Sequence, residues 1–314
     1  MSAKQEYHIS QDEFSRYRYN FVKYLNDIES FLDEALSNGL LDVEHRSVIM
    51  AQSNPDDQQR YLYSYIYRKL PYVSDKLMSA LEKSNQELIY ILFDPSIYPM
   101  KNKPHGRVIL INNLKFDDES KLQERYGSEK DVEGITELFK AFNFDVQLYS
   151  NKTAKEMRRI IEKASQESTA REDCFVMFLM SHGTAGNIVG TDGKELPYST
   201  INTILRDSHQ LKDKPKLLYI NTCEATYVDV DVEDFYVTYA TVAQMPSHRT
   251  DVRGSIFIKS LISVYKRHRN ECDISSLSVK INAQVAEESK EISVDQVSSC
   301  YSTLKKKVIL RATD

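Results

Sequence analysis

The sequence has no tryptophan and only nine glycines among its 314 residues. No Gly/Ser-rich or Pro-rich tract interrupts it, so disorder is limited. Cysteine is sparse as well. Cys174, Cys223, Cys272 and Cys300 are scattered without paired spacing, which argues against a disulfide scaffold and against zinc. Long apolar runs are missing too. The longest, "CFVMFLM" at 174–180, falls far short of the roughly 20 residues that span a bilayer. The polar opening "MSAKQEYHIS" lacks the apolar stretch of a secretory signal. These absences lead us to expect a cytoplasmic chain in a reducing compartment, away from membranes. Positive charge is not in excess either: the net charge is −5. Residues 1–100 hold 10 Lys/Arg against 15 Asp/Glu, whereas residues 101–314 hold 31 of each. No basic stripe is available to neutralise phosphates, so nucleic acid is not expected as a partner. No cofactor is expected.

What is present suffices for a folded chain. Hydrophobic content is 41% and charged content 28%, and the length allows about two domains. Residues 10–93 read as helix after helix. "YNFVKYLNDIESFLDEALSNGLL" spaces apolar residues three and four apart, with Gly39 suited to a helix C-terminus. "DDQQRYLYSYIYRKL" and "VSDKLMSALEKSNQELIYILF" repeat the spacing, predicting an all-α bundle over residues 1–95. "DPSIYPMKNKPHG" (94–106), with three prolines and a glycine, reads as a boundary, leaving a linker at 96–106.

The period then changes. "RVILINN" (107–113), "FDVQLYS" (144–150), "DCFVMFLMS" (173–181) and "KLLYINT" (216–222) read as strands. They alternate with amphipathic "DVEGITELFKAF" (131–142) and with a helix opened by a capping box, Thr153 with Glu156. Such alternation implies an α/β layer with a largely parallel sheet. Working groups of such sheets gather at the carboxyl ends of the strands. The two strongest strands end at "SHG" and "NTC", which puts His182 and Cys223 on one edge.

A free thiol is only a few per cent thiolate at neutral pH. A nearby imidazole can take its proton and later protonate a leaving amine. The backbone N–H groups of Gly183 and Cys223 could form an oxyanion hole, with Gly183 allowing a carbonyl to approach closely. For a cysteine and histidine seen alone, a turn histidine and a buried thiol are the commoner explanation. Further residues decide.

Residues 103–314 resemble the caspase family throughout. The resemblance rests on "GRVILINN", "RYGSEKDVEGI" (125–135), "FLMSHGTAGNIVGTDG" (178–193), "KPKLLYINTC", "YATVAQMPSHR...RGSIFIKSL" (239–261) and "STLKKKVIL" (302–310), the last as the final strand. It implies a caspase-like, mostly parallel sheet flanked by helices over 107–314, and cleavage of protein substrates after aspartate. Cys223 would be the nucleophile and His182 the general acid/base. Arg125 and Arg249 would clamp the substrate carboxylate, with Ser181, Asn221 and His248 lining the substrate groove. A large-subunit part (107–225), a short connection (226–234) and a small-subunit part (235–314) would follow, in a zymogen that forms a homodimer or pairs with another caspase.

"FLDEALSNGLLDVEHRSVIMAQ" and "DKLMSALEKSNQELIYIL" resemble helices of a caspase recruitment domain (CARD), a death-fold bundle. That implies an initiator role in apoptotic or related signalling, with clustering on a CARD-containing adaptor or scaffold. Four positions depart from the family pattern: Asn221 for glutamine, Ala225 for glycine, Glu224 beside the thiol, and His248 for an aromatic residue. These leave a catalytically weak or inactive homologue, acting by CARD binding and dimerisation, as the alternative. The connection is short, with 15 residues between Cys223 and Tyr239, and Asp229, Asp231 and Asp234 are its candidate cleavage points.

Overall fold

The computed structural model describes residues 6–169, 171–223, 232–242, 247–268 and 273–311. The chain divides into two compact units, residues 1–97 and 98–314.

The first unit contains helices α1 (Gln11–Arg16), α2 (Arg18–Tyr24), α3 (Ile28–Ser37), α4 (Val43–Met50), α5 (Pro55–Lys69), α6 (Ser74–Lys83) and α7 (Glu87–Phe93). Side chains of Ser10, Asp27, Asp42 and Asn54 each accept a first-turn backbone N–H, satisfying donors the helix leaves open. Gly39 ends α3 as expected. Its φ is +74°, and Gly39 N–H to Leu36 O (3.1 Å) with Leu40 N–H to Ala35 O (2.8 Å) close a left-handed helix end. The long periodic run around it is divided at residues 25–27, where Asn26 N–H donates to Gln86 Oε1 (3.0 Å) and Asp27 caps α3. Phe14, Phe21, Phe31, Tyr63 and Phe93 form an aromatic centre, with Phe14 stacked on Tyr63 at 4.7 Å.

The second unit is built on strands β1 (Gly106–Asn112), β2 (Phe144–Ser150), β3 (Phe175–Met180), the short β4 (Gly183–Thr184), β5 (Asn187–Val189) and β6 (Glu195–Pro197), then β7 (Lys216–Asn221), β8 (Phe235–Tyr239), β9 (Arg249–Thr250), β10 (Gly254–Ser255) and β11 (Ser299–Ser302). The main sheet has the order β2-β1-β3-β7-β8-β11. Its strands run parallel except β11, which is antiparallel to β8. Alternation along the strands divides two cores. Leu110, Phe178 and Tyr219 pack under α8 (Ser128–Ala141), α11 (Ile256–His268) and α12 (Ile274–Glu291). Ile109, Met177 and Leu218 pack under α9 (Ala154–Gln166) and α10 (Tyr198–Arg206) on the other face. The capping box at α9 is formed, with Thr153 and Glu156 bonded in both directions. An all-α bundle followed by a mostly parallel sheet flanked by helices is the architecture expected.

The last strand differs from expectation. It lies at Ser299–Ser302, so only the first residue of "STLKKKVIL" belongs to it. At Thr303 the ladder becomes irregular: its N–H still donates to Phe235 O (2.8 Å), but its Oγ1, in place of its carbonyl, accepts Phe235 N–H (3.1 Å) and donates to Val232 O. The chain then turns back, and Tyr98 N–H donates to Lys307 O (2.9 Å).

Of the connection, Glu224, Ala225, Asp229 and Asp231 lie outside the described residues. Asp234 lies within them and is 4% exposed. Its N–H donates to Thr303 O (3.2 Å), its carbonyl accepts Lys216 N–H (2.8 Å), and its Oδ1 accepts the Tyr98 hydroxyl. A peptidase needs an accessible, extended segment, so Asp234 is not a cleavage point of the folded chain. Asp234 also sits at φ +63°, a conformation Asp and Asn tolerate better than alanine. Asp234→Ala should therefore cost about 2–4 kcal/mol, from the strained backbone and the orphaned tyrosine hydroxyl. Asp234→Asn should cost less than about 1 kcal/mol; urea unfolding of both variants checks this.

Candidate active site

Strands β3 and β7 pair in parallel with Met180 opposite Asn221. His182 and Cys223, each two residues beyond its strand end, therefore leave the sheet from the same edge. Gly183 lies against the second of these exits. A Cβ there would stand 2.7 Å from Thr222 Cβ and 2.9 Å from Cys223 O, so only glycine fits. Thr222 is held from behind, its hydroxyl 2.7 Å from the buried Tyr198 hydroxyl.

His182 is half-buried. Its Nε2 is 2.7 Å from Gln123 O. A carbonyl only accepts, so Nε2 carries the proton, and in the neutral ring Nδ1 keeps its lone pair. Burial lowers the imidazole pKa below its ordinary value, and the charges of Arg125 and Arg249 add to this against the Gln123 carbonyl. The neutral, basic form is thus favoured. The Phe116 ring lies beside it, centroids 4.8 Å apart and planes at 50°. Cys223 is half-buried, and its thiol faces Ser247 O at 3.9 Å, a weak S–H contact.

Arg125 is 2% exposed. Its Nη1 donates to Asn113 O (2.9 Å) and Asn112 Oδ1 (3.2 Å), the two polar residues that close β1. Arg249, on β9, donates from Nε to Tyr126 O (2.7 Å). Gly127 (φ +85°) lets these segments touch, since a Cβ would lie 2.3 Å from Thr250 O. Burial and the neighbouring Arg249 push the Arg125 pKa down to about 9, which leaves it charged at neutral pH. Burial also lowers the Arg249 pKa. Asp131 is the nearby anion. Its Oδ1 accepts Ser255 N–H (2.9 Å), its buried Oδ2 has no hydrogen-bond partner, and burial pushes its pKa up to about 6. Two guanidiniums stand against one carboxylate that stays largely ionised at neutral pH, so part of their positive charge is left unmatched.

The remaining expected groove residues are less directly placed. Asn221 is 2% exposed, with Nδ2 donating to Ser255 Oγ (3.0 Å) and Oδ1 accepting the Ser247 hydroxyl (3.1 Å). Ser181 Oγ donates to Val189 O (2.6 Å) and accepts Asn113 Nδ2 (3.3 Å), so its bonds run to the Asn113 side and not to the arginines. His248 N–H donates to Gln296 Oε1 (2.8 Å), and Gln296 Nε2 donates to Ala240 O (2.8 Å). Sequence reasoning missed Gln123, Asp131, Ser255 and Gln296. Asp131 and Ser255 lie inside quoted motifs, and a polar residue within an otherwise packed motif was their one signal. Among the described residues no cluster of three His, Cys, Asp or Glu could hold a metal, and no helix is long and apolar enough to cross a membrane.

The sheet is that of a mostly parallel α/β fold with a histidine and a cysteine at one edge. A family model described as "Caspase domain" (peptidase C14) matches residues 105–309, well over half of the chain, and the chain belongs to the caspase family. It is 29% identical over 231 residues to Caspase-7 of Gallus gallus, covering 65% of this chain and 74% of that protein. It is 29% identical over 233 residues to Caspase-3 of Mesocricetus auratus (68% and 83%). With Caspase-8 of Mus musculus the identity is 29% over 228 residues, 60% of this chain and 47% of that protein, so the chain spans about half that relative's length.

The close approach at Gly183 can be tested directly. Gly183→Ala should displace the Thr222–Cys223 backbone and destabilise the protein by about 1–3 kcal/mol, as overpacking does. Thermal unfolding measures the loss, and Cys223 alkylation by iodoacetamide should change in rate with it.

Proposed function

We propose that the chain is a cysteine endopeptidase that cleaves proteins after aspartate. The observation that supports this is the β3–β7 register, which brings the exits leading to His182 and Cys223 to one sheet edge, with Nδ1 of His182 left unprotonated. The charges of two guanidiniums, Arg125 and Arg249, act on the same imidazole. In this mechanism His182 Nδ1 takes the Cys223 proton as the sulfur attacks the scissile carbonyl. The tetrahedral oxyanion is stabilised by the backbone N–H groups of Gly183 and Cys223. The imidazolium then protonates the leaving amine, and a water hydrolyses the thioester with His182 again as base. Arg125 and Arg249 hold the substrate aspartate, and the backbone around His248 borders the groove.

We read residues 1–95 as a recruitment domain and the protein as an initiator, activated as a homodimer or with another caspase when a CARD-containing scaffold clusters it in the cytoplasm. Counting α1 and α2, which meet at Tyr17, as one helix gives the six-helix plan this reading needs. One observation favours the second reading, a regulator with little turnover: the thiol faces Ser247 O and the Asn221 amide is engaged on both sides.

A tetrapeptide reporter ending in aspartate should be cleaved, and Cys223→Ala should abolish cleavage. Silence of both proteins with dimerisation forced by a kosmotropic salt would favour the regulator. Arg249→Ala removes a charged contact to the substrate and should lower kcat/KM by roughly ten- to hundredfold. The same assay reads the pH dependence. Because the imidazolium is disfavoured, kcat/KM should rise with pH through a midpoint below the ordinary imidazole value of about 6.5. A midpoint above that value would contradict the assigned environment.

A further inference from the structure

The connection between β1 and α8 grips His182 from two sides. Its first limb presents the Phe116 ring, 4.8 Å from the imidazole. Its second limb presents Gln123 O, 2.7 Å from Nε2. Both limbs are anchored. Leu114 N–H and Lys115 N–H donate to Asn151 Oδ1 (3.0 Å each), and Asp117 N–H donates to Thr191 O (2.9 Å). Arg125 N–H to Leu114 O (2.9 Å) closes the neck. A single hydrogen bond at Nε2 fixes a line and leaves the ring free to turn about it. A second contact on the ring itself is needed to fix the plane, and with it the direction of the Nδ1 lone pair.

We propose that Phe116 is a positioning residue for His182, fixing the imidazole plane and shielding it from water. The inference rests on reading His182 as the acid–base group. Two effects of an aromatic neighbour oppose each other: shielding disfavours the imidazolium, whereas a ring face attracts a cation. Shielding wins here. The planes are tilted and not face-on, and the titration of His182 is lowered chiefly by burial. The charged groups facing the imidazole are Arg125 from the same connection and Arg249 from β9, and the titratable thiol of Cys223 follows β7. Removing Phe116 leaves these in place, so the variant isolates the contribution of the ring.

The test uses the full chain with Phe116→Ala and Phe116→Leu, read by NMR titration of His182 (assigned by its loss in His182→Gln) and by reporter kinetics. Phe116→Ala should raise the midpoint by ~0.5 unit or more and lower kcat about tenfold with KM within about twofold. Phe116→Leu keeps apolar cover but offers no ring plane. It should hold the midpoint near wild type and lose kcat about three- to tenfold. Unchanged midpoint and unchanged kcat in Phe116→Ala, with wild-type thermal unfolding, would overturn the proposal. Should Phe116→Ala not fold, Phe116→Leu decides: a reduced kcat supports the proposal and wild-type kcat overturns it. If the wild-type chain leaves aspartate reporters uncut, the peptidase reading fails, and the titration alone decides the role of Phe116.

Discussion

The pairing register of β3 with β7 is the constraint on which everything else depends. Met180 opposite Asn221 brings the two exits to the same height. A slip of one residue would turn every side chain of one strand to the opposite face. Here that is prohibitive, because both faces are filled: Phe178 stacks on Tyr219 at 4.4 Å on one side, and Met177 and Leu218 are buried on the other. Hydrophobic packing across two cores thus does the positioning, and it brings the exits leading to His182 and Cys223 to one sheet edge.

The arginine cleft is held differently, by polar groups. A guanidinium as buried as Arg125 needs its donors met and its charge offset. Asn112 and Asn113 meet donors, and Asn113 also ties β1 to Lys152, Ser181 and Val189. The charge is only partly offset. Asp131 is itself buried, and its second oxygen is unpartnered. Replacing such a polar centre by apolar groups could be no less stable. The proposed carboxylate-binding role would require instead that some positive charge remain unmatched, and with two guanidiniums to one carboxylate some does.

Much of this was legible in the sequence because it rests on periodicity. The limits of β2, the capping box of α9 and the end of α3 at Gly39 follow from local chemistry. His182 and Cys223 followed from where two apolar runs stop. What local pattern does not encode is which partner a polar group finds across the fold. Gln123 serves through its carbonyl, which any residue would supply, so its side chain carries no signal. Asp234 reads as an acidic residue in a polar connection, yet Tyr98, 136 positions away, and Thr303 make it a buried anchor. The expected last strand failed for the same reason. At Thr303 a side-chain oxygen takes the place of the carbonyl in the ladder, and threonine is otherwise a good strand residue.

Asn221 shows how one methylene can change what a position does. A glutamine there, as in the family pattern, is one methylene longer. The shorter amide stops between two hydroxyls, Ser247 and Ser255. Ser255 is in turn fixed through its N–H by Asp131, so Asn221 links β7 to the buried carboxylate next to the arginines. Ser247 immediately precedes His248 and Arg249, and its carbonyl faces the Cys223 thiol. The amide therefore braces the segment that carries Arg249 and the thiol's neighbour together. Under the peptidase reading proposed above, a substrate carboxylate would be left to the two guanidiniums, and any movement of Ser247 would reach the Cys223 thiol directly.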